Sequence, residues 1–186
     1  MSDGKRFQLG METFSYHLAI ASGRMDILGF ITRCAELGLD GVQLNTGYLT
    51  PFLKGNSTGL AKIRELTEGF GLFVEVDTRG TDPAHLTGML GLCKSIGADV
   101  LRTYASCGGD LVRELAQAPR HLQAVVPLCR DLGIRIAVEN HEYETSQDIL
   151  NVVRQVSSEW VGAHIDTGNS MMVWEEPVVA VRALAP

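Results

Sequence analysis

The chain has 186 residues, of which 45% are hydrophobic and 20% are charged, a balance typical of a globular protein with a substantial core. Its formal net charge is −6 and it has no Lys/Arg cluster, which argues against a nucleic-acid-binding surface. No apolar run approaches the roughly 20 residues of a membrane span, and the opening residues MSDGKRFQLG lack the apolar core of a secretory signal.

The predicted strands follow a repeated helix-stop signal, an apolar residue and then Gly. Glycine favours the left-handed conformation in which helices often end. The signal occurs four times, at Gly38, Gly71, Gly97 and Gly133. A short β-rich run follows each one, at residues 41–45, 72–76, 100–104 and 134–138. Residues 7–14 and 161–165 have the same character, so six strands are predicted.

Segments of helical periodicity lie between these strands. They cover residues 25–37, 57–70, 83–96, 110–132, 145–156 and 175–184. Ser57 is a candidate N-cap, and Asp82 with Pro83 forms a helix start signal. In the long fourth segment we predict that Pro119 starts a second helical piece and that Pro127 kinks it, because proline lacks an N–H group.

Six strand–helix units in succession predict a parallel sheet with a single α/β domain over residues 1–186. A doubly wound sheet would usually carry a Gly-rich phosphate loop after the first strand, and residues 13–17 contain none. A (β/α)8 TIM barrel has eight units in typically about 250 residues. The chain is therefore predicted to hold about six of the eight units of such a barrel and to be incomplete at its C-terminal end.

Four cysteines lie far apart along the chain, without a CxxC motif. Cys34, Cys93 and Cys129 fall in helical segments, and we expect them to be reduced core thiols. This pattern predicts a cytoplasmic protein.

Polar side chains gather near the C-terminal ends of all six predicted strands, which is the face where barrel active sites are built. They are Glu12, Ser15, Tyr16, His17, Gln43, Asn45, Glu75, Asp77, Arg102, Tyr104, Glu139, Asn140, His141, His164, Asp166 and Asn169. A structural role is the alternative for each one alone; Arg102, for example, could pair with Glu75 or Asp77. Glu142 and Glu144 are predicted to be solvated loop charges.

Glu139 and Asp166 give the strongest single prediction of a site. Each ends a buried strand, and the two strands should be neighbours in the sheet. Alternation places His141 on the same strand face as Glu139. Carboxylate oxygens with one imidazole suit Mn²⁺ or Mg²⁺, with Co²⁺ and Zn²⁺ as alternatives, so Glu139 and Asp166 are predicted metal ligands.

The motifs AVENHE at residues 137–142 and HIDTGN at residues 164–169 resemble those of the xylose isomerase-like TIM barrels. This is the sugar phosphate isomerase/epimerase superfamily, and the similarity extends to TFSY, LGLDGVQL and IGADVLRTY. The resemblance implies one divalent metal ion held by a Glu, an Asp, a His and a second Glu at the ends of strands five to eight. Glu139 and Asp166 match the first two. Several family members have a His where this chain has Asn169.

The resemblance implies a sugar or sugar-acid isomerase or epimerase that acts through a metal-stabilised enediolate. Glu139 would be both metal ligand and catalytic acid/base, while His17, Glu75, Arg102, His141 and Asn169 would contact the substrate. A decarboxylase of a 3-oxo sugar acid is the first alternative, with Arg102 binding the acid group. A non-catalytic fragment or a self-associating truncated barrel is the second. The expected partners are a small sugar or sugar acid and, if the chain self-associates, further copies of itself, without nucleic acid or membrane.

Overall fold

Six parallel β-strands alternate with helices in the computed structural model, which describes residues 7–54 and 58–185. The strands are β1 (Gly10–Glu12), β2 (Gly41–Asn45), β3 (Phe73–Asp77), β4 (Val100–Thr103), β5 (Arg135–Glu139) and β6 (Val161–His164). Their order in the sheet is the order of the chain. This confirms the predicted α/β class with six strands, the arrangement of a partial TIM barrel.

The helices occupy the segments between the strands. They are α1 (His17–Ala21), α2 (Ile27–Glu36), α3 (Thr46–Leu53), α4 (Gly59–Phe70), α5 (Pro83–Ile96), α6 (Leu111–Leu132), α7 (Ser146–Val156), α8 (Asn169–Met172) and α9 (Pro177–Leu184). No helix within the described ranges is long and apolar enough to cross a membrane.

The described residues form two compact units. The first lies within Met1–Val76 and Ser95–Ala98. Its strands β1 and β2 pair in parallel, with Gly10 opposite Gly41. The ring of Phe73 lies directly over both glycines, and a Cβ atom at Gly41 would overlap it. These positions therefore require glycine because the aromatic ring occupies the space of a side chain.

The second unit lies within Asp77–Lys94 and Asp99–Pro186. Strands β4, β5 and β6 pair in parallel, with Arg102 opposite Ala137 and Glu139 opposite His164. Its core is formed by apolar strand and helix side chains, among them Leu101, Ile136, Val138, Leu122, Ile149 and Val152. The register places the C-terminal ends of β5 and β6 side by side, which is what a shared site at those ends requires.

The helix boundaries confirm most of the sequence signals. Gly38, Gly71, Gly97 and Gly133 all have positive φ, between +68° and +79°, as a left-handed helix stop requires. Asp82 accepts a hydrogen bond from the His85 backbone N–H at 2.9 Å and so caps α5. Thr145 and Asp148 form a reciprocal capping box at the start of α7.

Several boundary predictions were wrong or lie outside the described residues. Helix α6 runs unbroken from Leu111 to Leu132, so Pro119 does not start a second piece. Pro119 is buried on the same helix face as Ala118 and Leu122, and this packing offsets the missing N–H. The first strand is shorter than predicted, because a 3-10 turn begins at Thr13. Helices α1, α3 and α8 were not predicted, and the N-cap candidate Ser57 lies outside the described residues.

Candidate active site

A buried arginine joins two carboxylates at the strand ends of the second unit. Arg102 lies on β4, Asp77 ends β3 and Glu139 ends β5. The Arg102 guanidinium pairs with the carboxylates of both Asp77 and Glu139. The side chains are 11%, 5% and 2% exposed respectively, so all three charges are withdrawn from water. Buried charges are stable only when they are paired, and here each one is.

His141 and Tyr104 complete this group. Nδ1 of His141 lies 3.2 Å from Oε2 of Glu139, and the His141 ring stacks on the Tyr104 ring with centroids 3.9 Å apart. The Arg102 guanidinium lies 5.2 Å from the Tyr104 ring centre, within range of a cation–π contact. We call Asp77, Arg102, Tyr104, Glu139 and His141 the Arg102 cluster.

The cluster holds Glu139 ionised. Burial alone raises the pKa of this carboxyl, but the hydrogen bond from His141 and the charge of Arg102 outweigh burial, and its pKa lies below the usual value of 4.5. Glu139 in turn raises the pKa of His141, chiefly through the same hydrogen bond. The site therefore presents a carboxylate and an imidazole that readily becomes a cation, a combination suited to proton transfer.

Asp166 is held in place through Asn140, which is fully buried. The Asn140 side chain donates to the Asp166 backbone oxygen at 2.8 Å and accepts from the Asp166 backbone N–H at 2.9 Å. These two bonds continue the β5–β6 pairing beyond His164. Asn169 donates to Asp166 Oδ2 at 3.0 Å and lies 3.3 Å from His141 Nδ1, so it links Asp166 to the cluster.

The structure brings five of the seven predicted site residues together in the second unit: Arg102, Glu139, His141, Asp166 and Asn169. The other two belong to the first unit. There His17 Nδ1 lies 2.8 Å from the Phe14 backbone oxygen, and Gln43 donates to Glu75 at 2.8 Å. Arg102 pairs with Asp77, as its structural alternative predicted, and with Glu139 as well.

Glu144 was mispredicted as a solvated loop charge. It is 1% exposed, and its Oε1 accepts the backbone N–H of Ser106 at 2.7 Å. The partner lies 38 residues earlier in the chain, so no local pattern marks this contact. Asn140 had been noted at a strand end without a role, and Asp77 as one of two alternative partners of Arg102. Their identity as a side-chain clamp and a charge partner depends on the strand register.

The carboxylate oxygens of Glu139 and Asp166 are chemically suited to bind a divalent cation. They are two of the four ligands that the resemblance implies. Glu139 and Asp166 supply carboxylate oxygens at the ends of adjacent strands, and the two carboxylates of Asp77 and Glu139 share the single guanidinium of Arg102. Oδ1 of Asp166 already accepts two backbone hydrogen bonds, from Gly168 and Asn169, whereas Oδ2 accepts one from the Asn169 side chain and keeps a second lone pair for a cation. Among the described residues, no group of three or more His, Cys, Asp or Glu is placed to hold a metal ion.

A family model described as xylose isomerase-like TIM barrel matches residues 31–186. The chain belongs to this family. The match includes every member of the Arg102 cluster together with Asp166 and Asn169. It confirms the resemblance that the motifs around Glu139 and Asp166 predicted.

Two relatives match this chain along nearly its whole length. The 3-oxo-isoapionate decarboxylase of Pectobacterium atrosepticum is 27% identical over 180 residues, which cover 95% of this chain and 64% of that protein. The uncharacterized protein YihM of Escherichia coli is 22% identical over 180 residues, covering 96% and 55%. The chain thus spans less than two thirds of either relative.

A solved structure of D-psicose 3-epimerase in the presence of D-fructose shares the fold. Its TM-score is 0.78 at 15% identity, and the match covers 97% of this chain and 70% of that one. At this identity the similarity establishes the barrel architecture.

Proposed function

We propose that the chain carries part of the active site of a sugar or sugar-acid isomerase or epimerase that reacts through an enediolate. The observation that carries this proposal is the buried, ionised Glu139 at the end of β5, paired with Arg102 and next to His141. Membership of the xylose isomerase-like family supports it. Enediolate chemistry needs a base for a carbon-bound proton and a means of stabilising the resulting oxyanion.

Each residue of the site has a role in this chemistry. Glu139 accepts the proton from the carbon beside the carbonyl group and returns it to the product. His141, with its raised pKa, donates a hydrogen bond to a substrate oxygen. Asn169 and Tyr104 hold the imidazole in place. A divalent cation held by Glu139 and Asp166 would supply charge stabilisation of the developing oxyanion.

Decarboxylation of a 3-oxo sugar acid is the second candidate, and the relative named 3-oxo-isoapionate decarboxylase favours it. In this reaction the bond to the carboxylate carbon breaks and CO₂ leaves. The electron pair remains on the substrate as an enolate, which then takes up a proton. Arg102 would attract the acid group, in competition with the carboxylates of Asp77 and Glu139.

Solvent isotope exchange separates the two reactions. We expect the chain with Mn²⁺ in D₂O to place deuterium on the carbon beside the carbonyl of a ketose, which NMR detects. CO₂ release from a 3-oxo sugar acid without exchange into ketoses would favour the decarboxylase. Mn²⁺ binding with neither reaction across both substrate classes would contradict the proposed activity of this chain.

Metal affinity tests the two ligands. We expect Glu139→Gln and Asp166→Asn each to weaken Mn²⁺ binding tenfold or more, equivalent to about 1.4 kcal/mol, because each removes an anionic oxygen donor. Calorimetric titration measures the affinity. The exposed residues Glu159 and Asp131 provide matched controls, and Glu159→Gln and Asp131→Asn should leave it unchanged. Equal affinity in all five proteins would remove Glu139 and Asp166 as ligands.

A further inference from the structure

A cavity of about 240 Å³ lies among the loops that follow β3 and β4, within the second unit. Its chemically active lining residues are Arg79, Asp82, His85, Cys107, Glu114 and His121. No member of the Arg102 cluster lines it. Its volume is below the roughly 300 Å³ at which pockets for drug-sized ligands begin, so it suits a small molecule.

The two histidines of the cavity are oriented by threonines. Thr78 Oγ1 lies 2.8 Å from Nε2 of His85, and Thr81 Oγ1 lies 3.3 Å from Nδ1 of His121. Each imidazole is thus anchored through one ring nitrogen. Its second nitrogen is the one that can serve a ligand, and the Arg79 guanidinium adds charged N–H donors.

Two carboxylates also line the cavity, but backbone amides compensate part of their charge. Asp82 caps α5 by accepting the His85 N–H, and Glu114, in the first turn of α6, accepts the Cys107 N–H at 2.9 Å. Negative side chains at helix starts are stabilised by these amides and by the helix dipole. Neither carboxylate forms an ion pair with Arg79 among the residues that the structure describes.

We propose that this cavity binds a small oxyanion of the carboxylate or phosphate type through Arg79, His85 and His121. Burial raises the pKa of the Tyr104 hydroxyl and the nearby charge of Arg79 counteracts that effect, while the Tyr104 ring stacks on His141. An occupant bound to Arg79 would therefore change the charge next to Tyr104, a member of the Arg102 cluster. Oxyanion binding in this cavity does not depend on the proposed isomerase activity, so an experiment can contradict either proposal without contradicting the other.

Cys107 provides a built-in reporter of occupancy. It is the exposed cysteine of the chain and lines the cavity, whereas Cys34, Cys93 and Cys129 are buried. We expect inorganic phosphate at about ten times its Kd to slow Cys107 alkylation by iodoacetamide about tenfold, because only the empty fraction reacts. Acetate in a parallel series distinguishes a carboxylate site from a phosphate site, and chloride at equal ionic strength is the salt control. Mass spectrometry gives the alkylation rate, and Cys107→Ser should abolish it.

Variants of the lining residues complete the test. Arg79→Gln and His121→Gln should lose the protection, Arg79→Lys should retain part of it, and Arg130→Gln on the exposed face of α6 should retain all of it. Circular dichroism confirms that each variant is folded. The proposal is overturned if neither phosphate nor acetate protects Cys107, if chloride protects equally, or if protection survives in Arg79→Gln. Protection by Zn²⁺ alone, reversed by a chelator, would also overturn it in favour of a metal site.

Discussion

Replacing Arg102 with Met is expected to lower the free energy of unfolding by about 3–5 kcal/mol, the cost of removing one partner from a buried ion-pair group. The substitution leaves the carboxylates of Asp77 and Glu139 buried at the ends of the two strands that flank β4, without their shared cation. Urea unfolding followed by circular dichroism measures the loss. Arg130→Met, at an exposed ion pair with Asp131, is the matched control and should change stability by no more than about 0.5 kcal/mol.

The pH dependence gives the same prediction a second measurement. The pKa of Glu139 is lowered in the folded chain, so its ionised form contributes stability above the ordinary pKa of 4.5, and that contribution is lost as pH falls through the lowered value. Without Arg102 the ionised form is penalised instead. The deficit of Arg102→Met should therefore be largest at neutral pH and shrink in acid.

A second substitution separates charge from packing. Adding Asp77→Asn to Arg102→Met removes one of the two uncompensated charges, so the double variant should recover part of the lost stability. If the double variant is less stable than the single one, the loss in Arg102→Met comes from packing of the long side chain. The interpretation of Arg102 as the shared counter-ion would then fail.

The fold could be predicted from the sequence because its signals are local. Glycine stops such as Gly71 and Gly133, and the capping residues Asp82 and Thr145, act within one helical turn and need no tertiary partner. The prediction that Pro119 starts a second helical piece was wrong because it depended on tertiary packing, which is not a local signal. Whether Pro119 breaks a helix depends on how much apolar surface that helix buries, and this burial cannot be predicted from the neighbouring residues alone.

The candidate site was predictable in its residue types and less so in its contacts. Alternation along β5 placed Glu139 and His141 on one face, and the 3.2 Å contact between them agrees with that. The partner of Arg102 could not be chosen from spacing, because Asp77 and Glu139 are 25 residues before and 37 residues after it along the chain. The register of β4 on β5 decides that pairing.

Glu144 was predicted to be solvated but is buried, and its removal should destabilise the fold. Glu144→Ala is expected to lower the free energy of unfolding by about 1–3 kcal/mol, because the buried N–H of Ser106 loses its acceptor. Chemical denaturation measures the change. Glu159→Ala, at an exposed position, is the control and should be close to neutral.

Glu144→Gln tests whether ionisation of the buried Glu144 carboxyl destabilises the fold. Burial raises the pKa of Glu144 above its ordinary value of 4.5, so between pH 4.5 and the raised pKa the folded chain binds more of this proton than the unfolded chain does. Wild-type stability linked to this group is fully present below pH 4.5 and is lost as pH rises through the raised pKa. Glutamine keeps the Oε1 acceptor for Ser106 and has no proton to lose. The stability of Glu144→Gln relative to wild type should therefore rise with pH across this window. A difference that stays flat with pH would show that Glu144 is ionised in the folded chain at no cost, and that its carboxylate has a compensating partner.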